Sequence, residues 1–196
     1  MKISTCLILA CLFLLNTGYT EPESTAGPRL PESYCISSEE MKLGEMINAY
    51  RKSKKLPAIP ISASLSYVAR RHVYDLDSNF KDNGRCNMHS WSSKGSWSSC
   101  CYTEDHKKAE CMWNKPRELT SYKGNGYEIA CSSTGNLTPA ESLKCWKESP
   151  SHHAVMISSG IWKAHPWKAM GVGIYKGYAV VWFGEEPDAS EIRKCN

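Results

Sequence analysis

Several familiar marks of chemistry are missing from this chain. It has no Gly-x-Ser-x-Gly elbow and no His-Glu-x-x-His helix, so the usual nucleophile and zinc-hydrolase signatures are absent. It has no glycine-rich phosphate loop and no longer-period repeat, which removes phosphate cradles and solenoid architectures. The cysteines never stand as Cys-x-x-Cys, so the ligand spacing of a structural zinc site is missing too. Past residue 20 no apolar run approaches the roughly 20 residues that a membrane helix takes. Charge is nearly balanced, with 24 Lys+Arg against 20 Asp+Glu. The basic pairs Lys107-Lys108 and Lys115-Pro116-Arg117 read as solvated surface. No clustered basic face points to nucleic acid.

What is present begins with Lys2, the ten-residue apolar run from Cys6 to Leu15, and the small polar residues up to Thr20. That order describes a secretory signal peptide over residues 1–20, and hence a secreted, extracellular product. The apolar run is too short to span a bilayer, so no transmembrane segment is expected. Without it 176 of the 196 residues remain, and the loss of Lys2 takes the formal charge from +4 to +3. That length suits one domain with a substantial core. Cys6 and Cys11 leave with the signal, so ten cysteines become eight. An even number in an exported chain reads as up to four disulfides. The sequence selects none of the roughly 105 connectivities that eight cysteines allow, although Cys35 with Cys195 would tie the two ends together.

Residues 21–36 hold three prolines and scattered charge, which makes them a linker or N-terminal arm. A single domain follows over 37–196. Ser37 with Glu40 fits a capping box, and Leu43, Met46, Ile47 and Tyr50 form the apolar stripe of a first helix. Leu56-Pro57 breaks it. A second helix from about Ser62 carries Leu65, Val68, Ala69, His72, Val73 and Leu76 on one face, with His72 read as a packed, hydrogen-bonded core residue. The stretch 82–126 is loop-rich and echoes Ser-Trp-Ser-Ser at Trp91 and Trp97. The large apolar area of the two indoles favours packing under a disulfide-clamped loop over display to a sugar or lipid. Thr138-Pro139-Ala140-Glu141 opens a third helix, which Ser149-Pro150 ends. Asn136 heads the one glycosylation sequon, whose Thr138 doubles as the helix cap. Met170–Tyr175 and Tyr178–Phe183 are strands joined by Lys176-Gly177, where the glycine is expected to supply positive φ.

These pieces together resemble the CAP superfamily of cysteine-rich secretory, antigen 5 and pathogenesis-related 1 proteins, the SCP domain. Ile47-Asn48-Ala49-Tyr50-Arg51 followed by Leu56-Pro57 is similar to that family's opening helix, and Asn87-Met88-His89-Ser90 to its first histidine site. Trp146-x-x-Ser149-Pro150-x-His152 matches the short bacterial-type form, and Gly171-Val172-Gly173 and Trp182-Phe183-Gly184 match the closing strands. The resemblance covers roughly residues 41–185. It implies an α+β fold, a three-layer α/β/α sandwich with a cysteine-rich loop insertion, and a cleft pairing His89 with His152. It also implies a possible divalent metal such as zinc. The family's acidic partner corresponds to Glu128 in Gly126-Tyr127-Glu128-Ile129-Ala130, displaced by one residue. In a strand such a shift turns the side chain to the other face unless a bulge absorbs it. His153 follows the matched position and is the weaker match.

Two imidazoles and a carboxylate are the makings of an open zinc site that activates water, or of metal-free acid–base chemistry. No complete catalytic set accompanies them. The favoured expectation is therefore a secreted, non-catalytic binding module for a lipid, sterol, glycan or extracellular protein, able to hold a metal at His89, Glu128 and His152. Its rivals are a metal-dependent, peptidase-like hydrolase using the same three residues, and a structural extracellular protein in which the histidines only organise the core.

Overall fold

The computed structural model describes residues 28–196. The expected signal peptide and the first part of the arm lie outside them. Helix α1 (Ser38–Ser53) opens with the capping box, in which Ser37 Oγ accepts from the Glu40 N–H and the Glu40 carboxylate accepts from the Ser37 N–H. The Glu40 carboxylate is buried and clasped by Arg70 of α2 (Ala63–Asn79), so the cap also docks the two helices. Helix α2 starts where expected, and Ser62 caps it, its Oγ accepting from Leu65 N–H at 2.9 Å. The arm does not end loosely. Ile36 is fully buried and bridges to Lys194, and Cys35 is bonded to Cys195, so the two ends close side by side.

Three strands, β1 (Tyr127–Ser132), β2 (Ala169–Tyr175) and β3 (Tyr178–Gly184), make an antiparallel sheet in the order β1-β3-β2. Successive side chains alternate between its faces. Ile129, Val181 and Phe183 meet α1 and α5 (Pro139–Glu148) through Leu43, Ile47 and Trp146 on one side. Ala130, Val180 and Trp182 meet α2 through Leu65, Val68 and Ala69 on the other. Helices therefore cover both faces of the sheet, in the α/β/α layering that the resemblance implies.

The Gly171-Val172-Gly173 motif has a direct steric cause. A Cβ at Gly171 would lie 2.1 Å from the Leu65 backbone, and one at Gly173 would lie 2.6 Å from that of Ala69. Helix α2 thus rests on the bare backbone of β2. In the β2–β3 turn the expectation is corrected. Lys176 takes the positive φ of 47°, and Gly177 serves close approach, since a Cβ there would meet the Ser133 carbonyl at 2.4 Å.

Four disulfides pair the eight cysteines among the described residues: Cys35–Cys195, Cys86–Cys101, Cys100–Cys111 and Cys131–Cys145. Two of them clamp the loop between α2 and β1, which also holds short helices that its composition hid, α3 (Glu110–Trp113) and α4 (Lys115–Leu119). Trp91 packs inside this loop and Trp97 lies edge-on against it at 5.1 Å. Lys115 corrects its reading as solvated surface. It is 1% exposed, donates to the Ser98 carbonyl and to Glu118, and lies over the Trp91 ring. The break at Ser149-Pro150 is real, but Pro150 at once starts α6 (Pro150–Met156), placing His152 in a first helical turn rather than in a loop.

Candidate functional site

The clamped loop and α6 face one another across a cleft of about 600 Å3. The loop presents His89. Its backbone N–H donates to Asn87 Oδ1 at 3.0 Å, and the next residue, Ser90, is tied to Tyr102 through its Oγ, which accepts the Tyr102 N–H at 2.9 Å. Paired backbone hydrogen bonds between Trp91 and Cys100 complete the frame. Helix α6 presents His152. The guanidinium of Arg51, 3% exposed, holds the end of that helix by donating from Nη1 to the Met156 carbonyl at 2.7 Å and from Nε to the Pro57 carbonyl at 3.1 Å. The indole N–H of Trp167 donates to Val155 O at 3.0 Å. His153 is directed elsewhere, with its Nε2 2.9 Å from the Tyr50 hydroxyl. The imidazole centroids of His89 and His152 are 6.5 Å apart.

Glu128 comes up from β1 opposite Trp182, in a register that runs unbroken from Tyr127 to Ser132. Its side chain therefore projects from the face covered by α2. There it finds two imidazoles, with Oε1 2.8 Å from His89 Nδ1 and Oε2 2.5 Å from His72 Nδ1. No part of the Glu128 side chain is exposed. Burial pushes the Glu128 carboxyl up, but the charge of His72 and the hydrogen bonds from both imidazoles outweigh it and hold the group below the usual carboxylate range. His72 completes a chain of contacts. Its Nε2 lies 3.0 Å from the Ser90 carbonyl and its ring stacks on Trp91 at 4.3 Å. The expectation of a buried, hydrogen-bonded His72 holds, yet it is also joined to the site, which sequence reasoning missed. The available signal was a titratable ring on a wholly apolar stripe, which demands a polar partner from another element.

His152 contrasts with this network. Its Nδ1 is buried without a partner, and burial together with His89 pulls the His152 imidazole below its ordinary value. The cleft is also lined by Tyr102, which packs edge-on against His89 at 5.2 Å and whose hydroxyl is 3.0 Å from His106 Nδ1, and by an apolar wall that includes Met112, Trp113, Tyr127, Val155 and Trp162. Ile161 stands 78% exposed at the rim. None of this wall was singled out from the sequence, because its members come from α3, β1, α6 and the short 3₁₀ turn Gly160–Ala164.

The three-residue metal set fits poorly. Both Glu128 oxygens are engaged by imidazoles, the arrangement of a carboxylate that orients a histidine ring. Among the described residues no group of three His, Cys, Asp or Glu side chains is arranged to hold an ion.

Comparison with known proteins agrees with this architecture. Residues 45–180 match the family model described as the cysteine-rich secretory protein family, CAP. An extracellular protein containing an SCP domain from Bacillus anthracis superposes with a TM-score of 0.53 at 15% identity, covering 76% of this chain and 40% of that one. A cysteine-rich secretory protein from Staphylococcus aureus gives a TM-score of 0.49 at 20% identity, over 76% of this chain and 39% of that one. An outer surface protein from Borrelia burgdorferi gives the same score and identity, over 76% and 94%. The chain thus spans about two fifths of the length of the first two. No curated protein matches it in sequence. No described helix is long and apolar enough to cross a membrane. With the family model covering more than two thirds of its length, the chain belongs to the cysteine-rich secretory protein (CAP) family.

Proposed function

We propose that this chain is an exported binding protein whose histidine-lined cleft takes up a small, largely apolar ligand and performs no chemistry on it. The observation that carries this is the make-up of the cleft, a largely aromatic and aliphatic lining that also includes His89, His106 and His152. A concave, mostly apolar site with a few convergent polar groups is the general form of a small-molecule pocket. A nucleophile is lacking. Every cysteine among the described residues is in a disulfide, and no serine or threonine hydroxyl there is hydrogen-bonded to an imidazole. Metal-dependent hydrolysis at His89, Glu128 and His152 asks for three protein ligands, and among the described residues no group of three His, Cys, Asp or Glu side chains is arranged to hold an ion. Export is supported by the apolar run at Cys6–Leu15 and by the four disulfides, which persist in oxidising compartments.

The test uses N-phenyl-1-naphthylamine, a neutral apolar fluorophore, titrated into the mature protein beside its Trp162→Ala variant, with peptide and ester turnover assayed in parallel. Saturable binding that weakens in Trp162→Ala, without turnover, is the expected result. Turnover that disappears in His89→Ala, or the absence of saturable binding, contradicts it.

A further inference from the structure

The hydrogen-bonded chain behind the cleft fixes which group the cleft can receive. His72 lies between two acceptors, the Ser90 carbonyl at Nε2 and Glu128 Oε2 at Nδ1. A carbonyl oxygen only accepts, so Nε2 carries hydrogen. At 2.5 Å, Nδ1 and Oε2 must share one further proton. Whichever of the two atoms that proton lies nearer, Oε1 remains an acceptor.

His89 therefore donates to Oε1 from Nδ1, at 2.8 Å. Its other nitrogen, Nε2, has no hydrogen-bond partner among the described residues, and in the neutral ring it offers the cleft a bare lone pair. Facing it is His152, whose Nδ1 is also unpartnered and buried. Beyond them the cleft is walled by Met112, Trp113, Val155 and Trp162.

We propose that the polar end of this cleft selects an alcohol carried on an apolar body and rejects both the carboxylate and the ether of the same shape. The proposal rests on the cleft being a ligand site. An alcohol donates its O–H to His89 Nε2 while its oxygen can accept from the His152 ring. An ether has no hydrogen to offer, so Nε2 would be covered and left unpaired. A carboxylate would set its own lone pairs against that of Nε2 and bring a charge into an apolar enclosure. Sites built around a substrate hydroxyl discriminate strongly against analogues that lack it, because the buried protein group is then stranded.

The experiment is displacement of N-phenyl-1-naphthylamine from the mature wild-type protein near neutral pH by three chains of matched length: octanol, heptyl methyl ether and octanoate. Octanol is expected to displace the probe at a concentration about tenfold or more below that of the ether, with octanoate weaker again. In His89→Phe, which keeps a flat ring and removes the acceptor, octanol and the ether should become equivalent. An ether as effective as octanol on the wild-type protein, or octanoate as the best competitor, overturns the proposal. If the probe itself does not bind, the binding function beneath it fails and the proposal falls with it.

Discussion

His89 and His152 reach one cleft by opposite means. His89 rides on a loop clamped by Cys86–Cys101 and Cys100–Cys111, and its ring is hydrogen-bonded to a buried carboxylate that a second imidazole also holds. His152 rides on a seven-residue helix without a disulfide, held at its end by Arg51, and its Nδ1 has no partner. The first wall is built to keep one orientation and one tautomer. The second leaves its ring uncommitted, so under the proposed function a ligand would meet one fixed acceptor and one group that can adapt. Binding sites commonly divide the work between a preorganised element and one that adjusts on binding.

The sharpest way to break this contrast is at Glu128. Glu128→Ala leaves His72 buried beside an empty acceptor position and removes the hold on His89, so a loss of about 3–5 kcal/mol in chemical denaturation is expected, with His89 becoming mobile and His152 unaffected. Next is Cys100→Ser with Cys111→Ser. It opens an 11-residue separation and should cost about 3 kcal/mol by the chain-entropy relation. The damage, read by hydrogen exchange, should fall on the His89 side alone. Arg51→Ala should cost about 2 kcal/mol, since it frees two backbone carbonyls from a buried charged donor. Its effect should fall on α6 and His152, leaving the contact between His89 and Glu128 intact. A chemical-shift map showing both histidines disturbed equally by either change would erase the distinction between the two walls.

The smallest effect concerns pH. Burial and His89 lower the folded-state value of His152, so the folded protein favours its neutral form. Its contribution to stability is therefore present above the ordinary 6.5 and lost as pH falls from there through the lowered folded value. His152→Asn should flatten the stability profile in that window. The depressed Glu128 carboxyl acts lower. Its contribution is present above 4.5 and disappears as pH falls through its own reduced value, so Glu128→Gln should flatten the acid limb. An unchanged limb in either variant would contradict the assignment.

Much of the scaffold was legible because its signals are local. Ser37 with Glu40 and Thr138 with Glu141 both form the reciprocal caps their spacing announces. The closing hairpin is where its pattern puts it. The glycines of Gly171-Val172-Gly173 mark the close approach of α2. What stayed hidden depends on partners distant in sequence. Cysteine connectivity is set by which loops meet, and nothing in the spacing distinguished Cys86–Cys101 and Cys100–Cys111 from the crossed alternatives. Lys115 read as surface because its burial needs the Ser98 carbonyl, Glu118 and the Trp91 ring at once. His72 read as core for the same reason. Its meaning lies in Glu128, 56 residues away. The one-residue displacement of Glu128 was visible, but its consequence, a side chain aimed at α2, required the strand register.

The most direct measurement is the nitrogen-15 spectrum of the histidine rings in the mature protein near neutral pH, with long-range correlations that assign each nitrogen. His89 should carry hydrogen on Nδ1 and a bare Nε2 that shifts on addition of octanol, while His72 shows hydrogen on Nε2 and a shared proton at Nδ1. A His89 ring protonated at Nε2, or one that does not respond to ligand, would mean that Glu128 does not set the acceptor face of the cleft.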